Sequence, residues 1–348
     1  MKSKSALQLV RADSRRLAIC LATLLAAEPA HAASATWTGA TNALWATNTN
    51  WSGPPALVPG SGDTATFNAA LGSGGATINL GPGVTIQQLT FDSASAAAYT
   101  IGSGGAGAQT LTFNAGGMTM TNTVANNELC NASVVLGTAN GDQAYTFTNN
   151  SLTKSLTLDG GISSSTAGIK TLTVAGAGPS GIGGALTNGS GTLALVKSDG
   201  GVLTLAGANA HTGSTTARKN STIRSGADNV LSDASTLIVA AGTIDLNDHD
   251  DTVGTGGTAI FFYTTNGEFN LTNTVSTGTG TLTLGGNIGV DSDARTTVNL
   301  ISGKLDLGSA TRSVNNPWSS PASTPTGATP WSMSAPCKAV PTTWCPMT

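Results

Sequence analysis

The chain has 348 residues, of which only 9% are charged and 45 are glycine, and its formal net charge is −3. An apolar fraction of 39%, arranged in short alternating runs, excludes ordinary disorder, which combines low hydrophobicity with high net charge. Sparse Glu, Lys and Gln exclude a body of amphipathic helices, and the absence of Lys and Arg between Arg16 and Lys154 excludes a basic surface for nucleic acid there.

Residues 1–32 have the features of a secretory signal peptide. Basic residues precede an uncharged apolar run over residues 17–27, and Ala30-His31-Ala32 has the small-x-small pattern of a cleavage site. The apolar run is shorter than the roughly 20 residues of a membrane span. We predict cleavage after Ala32, and a mature protein that passes the periplasm to the cell surface or the medium.

Residues 33–75 are predicted to form a Trp-rich N-terminal cap. Trp37, Trp45 and Trp51 are half of the six tryptophans in the chain. Large side chains cover the open end of a repeat array well, whereas clustered aromatic rings can also stack on sugars. We favour the capping interpretation and keep these three residues as candidate ligand contacts.

Residues 76–311 are predicted to form a repeat array. Leu203 and Leu205 fall on one face of an alternating segment, and Ile223 starts a second short strand. Similar triplets recur at residues 89–91, 111–113, 156–158, 172–174, 193–195, 203–205, 244–246, 282–284 and 305–307. Gaps of 22 (Leu89 to Leu111), 45 (Leu111 to Leu156), 21 (Leu172 to Leu193) and 23 (Leu282 to Leu305) indicate a period in the low twenties. Strands and turns of this period without helices predict an all-β, right-handed parallel β-helix, a solenoid.

Residues 201–216, GVLTLAGANAHTGSTT, resemble the signature of the autotransporter-associated β-strand repeat. Residues 228–231 and 241–254 are similar to its usual continuation, and the Trp-rich opening resembles the start of such proteins. The resemblance implies a passenger region of a bacterial surface or secreted protein. Proteins of this family often end in a membrane β-barrel, which needs many strands of about 10 alternating residues, and residues 312–348 contain no such run.

Residues 312–348 are predicted to be an irregular, low-complexity tail. Seven of the 13 prolines lie there, and proline cannot donate to a sheet ladder. The tail indicates a truncated or frame-shifted passenger, or a chain that depends on another exporter. Cys337 and Cys345 could pair in an oxidising compartment. Exposed strands at this end leave self-association open.

An acidic cluster is the candidate metal site. Asp245, Asp248, Asp250 and Asp251 surround His249, and calcium binds carboxylate and carbonyl oxygens. The glycine-rich nonapeptide of calcium-bound β-rolls is missing, so a solvated turn is the favoured interpretation and no cofactor is expected.

The favoured function is a structural or adhesive one without catalysis, with an unidentified surface or glycan partner. The alternatives are a carbohydrate-binding or polysaccharide-cleaving β-helix and a non-functional fragment. Cleavage would need carboxylates and a cation on one face, and the densest such group is Asp245, Asp250, Asp251, Arg218 and Arg224. His211 and His249 are expected to be turn or surface residues.

Overall fold

The computed structural model describes residues 34–53, 57–72, 74–263, 272–291, 298–315 and 332–333. These residues form a parallel β-solenoid of about 10 coils with about 1% helix, which confirms the predicted fold class. One 3₁₀ turn, Asn48–Asn50, lies among the strands. In chain order the strands are β1 (Ser34–Trp37), β2 (Trp51–Ser52), β3 (Thr64–Phe67), β4 (Thr77–Ile78), β5 (Val84–Phe91), β6 (Thr100–Ile101), β7 (Thr110–Met120), β8 (Glu128–Cys130), β9 (Ser133–Leu136), β10 (Gln143–Asn149), β11 (Leu156–Leu158), β12 (Ile162–Ser164), β13 (Ile169–Ala175) and β14 (Ser180–Ile182). They continue with β15 (Leu186–Thr187), β16 (Thr192–Lys197), β17 (Val202–Leu205), β18 (Thr215–Arg218), β19 (Thr222–Ser225), β20 (Leu237–Ala240), β21 (Thr243–Asp245), β22 (Asp251–Val253), β23 (Thr258–Phe262), β24 (Thr272–Leu284), β25 (Asn287–Val290), β26 (Val298–Asp306), β27 (Arg312–Asn315) and β28 (Ser332–Met333).

Three faces run along the solenoid. Face 1 contains β1, β3, β5, β7, β10, β13, β16, β18, β20, β23, β25 and β27, each parallel to the next. Face 2 contains the first halves of β5 and β7, then β9, β12 and β15, and further on β22 with the second halves of β24 and β26. Face 3 contains β4, β6, β8, β11, β14, β17, β19, β21 and the first halves of β24 and β26.

Alternation along each strand builds the core. In β17, Leu203 and Leu205 are at most 1% exposed while Thr204 is partly exposed, and Ile223 of β19 is fully buried. One continuous apolar cluster extends from Ala35 to Leu307. Since successive side chains of a strand point to opposite faces, the triplet pattern correctly predicted which positions lie inside.

The predicted period in the low twenties holds for part of the chain only: stacked partners are 20–23 residues apart from β13 to β23 along face 1, and 26–30 apart in several coils before and after them. Coils have 20 residues between Leu195 and its partner Thr215, but 29 between Gly117 and Thr146. Of the four gaps, only that from Leu282 to Leu305 joins stacked partners. Leu89 lies on face 1 and pairs with Met118, and Leu111 belongs to face 2, so their spacing relates different faces. Turns between strands vary in length at little free-energy cost, so equal gaps do not identify equivalent positions.

The parallel ladder extends beyond both predicted boundaries of the array. β1 already pairs in parallel with β3, with Ser34 opposite Thr64, and also antiparallel with β2. At the other end β27 continues face 1, with Ile288 opposite Val314, and β28 pairs antiparallel with β27. The Trp-rich cap is therefore part of the first coils. The predicted signal peptide with cleavage after Ala32, and the cysteines Cys337 and Cys345, lie outside the described residues.

Buried polar side chains connect successive coils. Lys197 is fully buried and donates from Nζ to three backbone carbonyl oxygens at 2.6–2.9 Å, one of them that of Gly176. Burial lowers the pKa of Lys197 to about 8. Asn209 accepts the N–H of Leu186 at 2.7 Å and donates to the carbonyl oxygen of Val230 at 2.6 Å. Such groups satisfy turn backbone atoms that the strand ladders leave unpaired.

Candidate ligand-binding groove

The three candidate tryptophans lie in the core. Trp37, Trp45 and Trp51 are only 1%, 2% and 3% exposed. The Trp51 ring centroid lies 5.0 Å from that of Trp37 and 4.7 Å from that of Trp45, both edge-on, and Phe67 packs against all three at 5.9–6.1 Å. Rings packed on each other leave no free face for a sugar. The cluster therefore fills the first coils, as the capping interpretation expects.

The acidic cluster is dispersed along the turns. Asp245 Oδ2 pairs with Arg224 Nε at 3.0 Å, while Asp248 and Asp250 each accept one backbone N–H of the next coil at 2.7 Å. Within the part of the chain that the structure describes, no three His, Cys, Asp or Glu side chains are placed to hold a metal ion. The candidate calcium site is therefore not assembled there, and these carboxylates link neighbouring coils.

Asp251 and His249 have different environments. Asp251 is 2% exposed, and its Oδ2 accepts the N–H groups of Val230 at 3.1 Å and Leu231 at 2.9 Å. Burial raises the pKa of Asp251 to about 6, although these hydrogen bonds oppose the shift. His249 lies at a turn, as expected, with Nδ1 2.9 Å from Asp228 Oδ1. Asp251 is thus a buried structural carboxyl.

The candidate catalytic group is also not brought together. Arg218 ends β18 on face 1, whereas the pair formed by Arg224 and Asp245 joins β19 to β21 on face 3. His211 lies in the connection between β17 and β18, as a turn residue would, but it is not on the surface: it is 1% exposed and its Nε2 lies 2.9 Å from Thr215 Oγ1. Burial lowers the pKa of His211 to about 4, so its ring is neutral in the folded state near pH 7.

Face 1 carries a groove that the sequence reasoning missed. Outward residues of three successive strands, β18, β20 and β23, line a cavity of about 400 Å³. One row of the lining is Thr216, Ile238 and Phe261, which are directly opposite one another. The volume falls in the range of about 300–1,000 Å³ that is typical of ligand pockets.

The second row of the groove is Arg218, Ala240 and Tyr263. Arg218 lies opposite Ala240, and Tyr263 follows two residues after Phe261 on the same side of its strand. Ala240 is small, so a hollow remains between the guanidinium on one side and the phenol on the other. The ring centroids of Phe261 and Tyr263 are 6.2 Å apart at 32°. Together they form an aromatic shelf.

The basic end of the groove is only partly neutralised. Lys219 Nζ lies 3.0 Å from Asp199 Oδ1, and the pKa of Asp199 is lowered, first by this hydrogen bond and also by the charge of Arg218. Among the residues that the structure describes, the Arg218 guanidinium has no hydrogen bond or ion pair. Among the described residues, two cations against one carboxylate leave this end positive.

A sequence signal for the groove existed. Phe261 and Tyr263 flank the buried Phe262, so period-two alternation places two aromatic rings outward. Upstream strands of face 1 mostly present Thr outward, including Thr66, Thr90 and others in register with them. Large outward apolar side chains on such a face are unusual and mark interaction sites.

We expect Gly289→Ala to move one wall of the groove without unfolding the chain. Gly289 lies opposite Phe261, and a Cβ there would be 2.4 Å from Cδ2 of that ring, so the ring must shift. The free energy of unfolding should change by less than about 1 kcal/mol because a flexible side chain absorbs the contact. Aromatic carbon resonances of Phe261 and denaturant unfolding test this. Gly256→Ala, where no atom lies within 4 Å of the added Cβ, is the control, and unchanged Phe261 resonances would contradict the geometry.

No family model, curated protein or solved structure matches this chain. The resemblance of residues 201–216 to the autotransporter-associated repeat therefore stays a prediction. Within the described residues, no helix has the length and apolar character needed to cross a membrane.

Proposed function

We propose that this chain is an exported adhesive β-solenoid that binds its partner in the groove on face 1. The solenoid supplies a rigid support, because each coil packs on its neighbours around one continuous core. The groove supplies the contact. It combines an aromatic shelf, a small apolar floor and a positive end on strands whose positions are fixed by pairing on both sides.

The groove is the observation that carries this proposal. Tyr263 is 37% exposed, although aromatic side chains elsewhere in the described core are buried. Aromatic residues with an adjacent arginine are the residue types enriched at binding sites. The proposed role is binding, because the described lining combines apolar and aromatic side chains with a basic end, the composition typical of a ligand pocket.

Export is proposed from residues 1–32 and from the resemblance of the repeat to bacterial passenger regions. Fractionation of the native host followed by mass spectrometry tests it. We expect an intact chain starting at Ala33 on the cell surface or in the medium. Retention of the chain as periplasmic fragments would instead support the non-functional remnant.

Loss of the exposed phenol is expected to lower binding to surface glycans. We expect the purified full chain to bind a subset of an immobilised glycan panel, and Tyr263→Ala to reduce this signal about tenfold, as removal of a binding-site aromatic does. Leu152→Ala removes another exposed apolar side chain, 73% exposed, and should leave binding unchanged. Equal binding by wild type and Tyr263→Ala would reject the groove as the site.

A further inference from the structure

The geometry of the second groove row identifies a class of ligand. Arg218, Ala240 and Tyr263 lie on three successive strands of face 1, so the outer two are separated by two strand spacings, about 9.5 Å between backbones. In the described lining, the side chain between them is the methyl group of Ala240. A flat ring of the size of a sugar fits over Ala240 with one edge toward Arg218.

Charge determines which ring is favoured. Within the described residues the Arg218 guanidinium has no hydrogen bond or ion pair, and Lys219 adds a second cation that Asp199 partly neutralises. A guanidinium binds a planar or tetrahedral anion through two parallel hydrogen bonds. The positive end therefore selects a ligand with a carboxylate or a sulfate.

The aromatic shelf favours a saccharide as the carrier of that anion. Phe261 and Tyr263 line the groove with ring centroids 6.2 Å apart, and aromatic ring faces carry a negative quadrupole, against which the C–H bonds of a pyranose ring pack well. A peptide added as a strand is disfavoured, because β18, β20 and β23 are each paired on both sides and offer no free edge. Two cations are also too few for a phosphate backbone.

We propose that this groove binds an acidic saccharide, with a sugar ring on Tyr263 and Phe261 and its carboxylate or sulfate at Arg218. This inference rests on the proposed binding function of the same groove. The hydroxyl of Thr216, in register with Ile238 and Phe261, is available to the neighbouring sugar. The ligand lies across the coils rather than along one strand.

The test uses the full chain and titration calorimetry with three defined probes. These are an oligogalacturonate, which carries carboxylates, a sulfated galactan oligosaccharide, and a neutral galactan oligosaccharide of equal length. We expect binding of at least one acidic probe, with Arg218→Gln weakening it about tenfold, as loss of a hydrogen bond to a charged group does. Comparison of the two acidic probes distinguishes carboxylate from sulfate. Lys154→Gln, a cation away from the groove, should have no effect.

Three outcomes distinguish a failure of the acidic-saccharide inference from a failure of the proposed binding function. If Tyr263→Ala weakens all probes but Arg218→Gln changes none, the groove binds sugars and the acidic class is wrong. If neither variant changes binding, the groove itself is not the site and both proposals fail. If hexa-aspartate or single-stranded DNA binds as tightly as the acidic oligosaccharides, the groove recognises charge alone and a saccharide is not its ligand. Circular dichroism confirms that each variant remains folded.

Discussion

Replacing Glu128 by Gln is expected to remove a contribution to the free energy of unfolding that falls by about 1.6 kcal/mol between pH 6.5 and pH 8. Glu128 points into the core from β8 and is 1% exposed. Its Oε2 accepts the N–H of Tyr99 at 2.9 Å, and among the described residues its Oε1 has no hydrogen-bond partner. Burial raises the pKa of Glu128 from 4.5 to about 8, so the folded state holds a neutral carboxyl group.

The direction of this effect follows from proton binding. Above pH 4.5 the unfolded chain releases the Glu128 proton while the folded chain keeps it until about pH 8, so stability falls as pH rises through this window. His211 acts in the opposite direction, because burial lowers its pKa from 6.5 to about 4 and its contribution is lost as pH falls below 6.5. The contribution of Asp251 to stability changes with pH only below about pH 6. That of Lys197 changes mainly between about pH 8 and pH 10.5. Above pH 6.5 and up to about pH 8, Glu128 is therefore the dominant group among these four.

Denaturant unfolding at several pH values measures the effect. Glu128→Gln mimics the protonated acid, keeps an oxygen that accepts the Tyr99 N–H, and should remove the fall, leaving the small rise of stability that His211 and Lys197 produce at the two ends of the window. Asp142→Asn, which removes an exposed carboxylate, should keep the wild-type profile. A flat wild-type profile would show that the buried carboxyl is already ionised at pH 6.5.

Trp51→Ala is expected to destabilise the first coils by about 3–5 kcal/mol, the usual cost of removing a large buried aromatic side chain. The Trp51 ring contacts Trp37, Trp45 and Phe67, and its Nε1 donates to the Trp45 carbonyl oxygen at 2.7 Å. Because coils of a solenoid contact only their neighbours, the loss should be concentrated at the N-terminal end.

Hydrogen exchange is the appropriate measurement for this variant. Backbone amides of β1 and β3 should lose protection in Trp51→Ala, while β16 to β20 should keep theirs. Leu44→Ala truncates an apolar side chain in the same region that is 43% exposed, and it should change stability by less than about 0.5 kcal/mol. Normal protection in β1 combined with lost glycan binding would restore the ligand interpretation of the tryptophans.

The tryptophan cluster and the groove differ in how far apart in the sequence their residues lie. The tryptophan cluster joins neighbouring residues of the first coils, so composition alone indicated it. The groove joins Arg218 to Tyr263 across three coils, and the intervening Ala240 contributes by being small. The sequence alone does not show that these residues are neighbours, because this depends on the register between the coils.

The sequence by itself determined the fold class and the inward and outward positions of the strands. These properties depend on period-two alternation and on the burial of apolar surface, which are local features. Only the tertiary structure decided which strands stack, since turns of different length give coils of 20 to 31 residues. It also decided that Glu128 and His211 are buried and that Arg218 and Tyr263 line one groove. The physical reason is that parallel pairing fixes register between coils in space, whereas turn length varies at little cost in free energy.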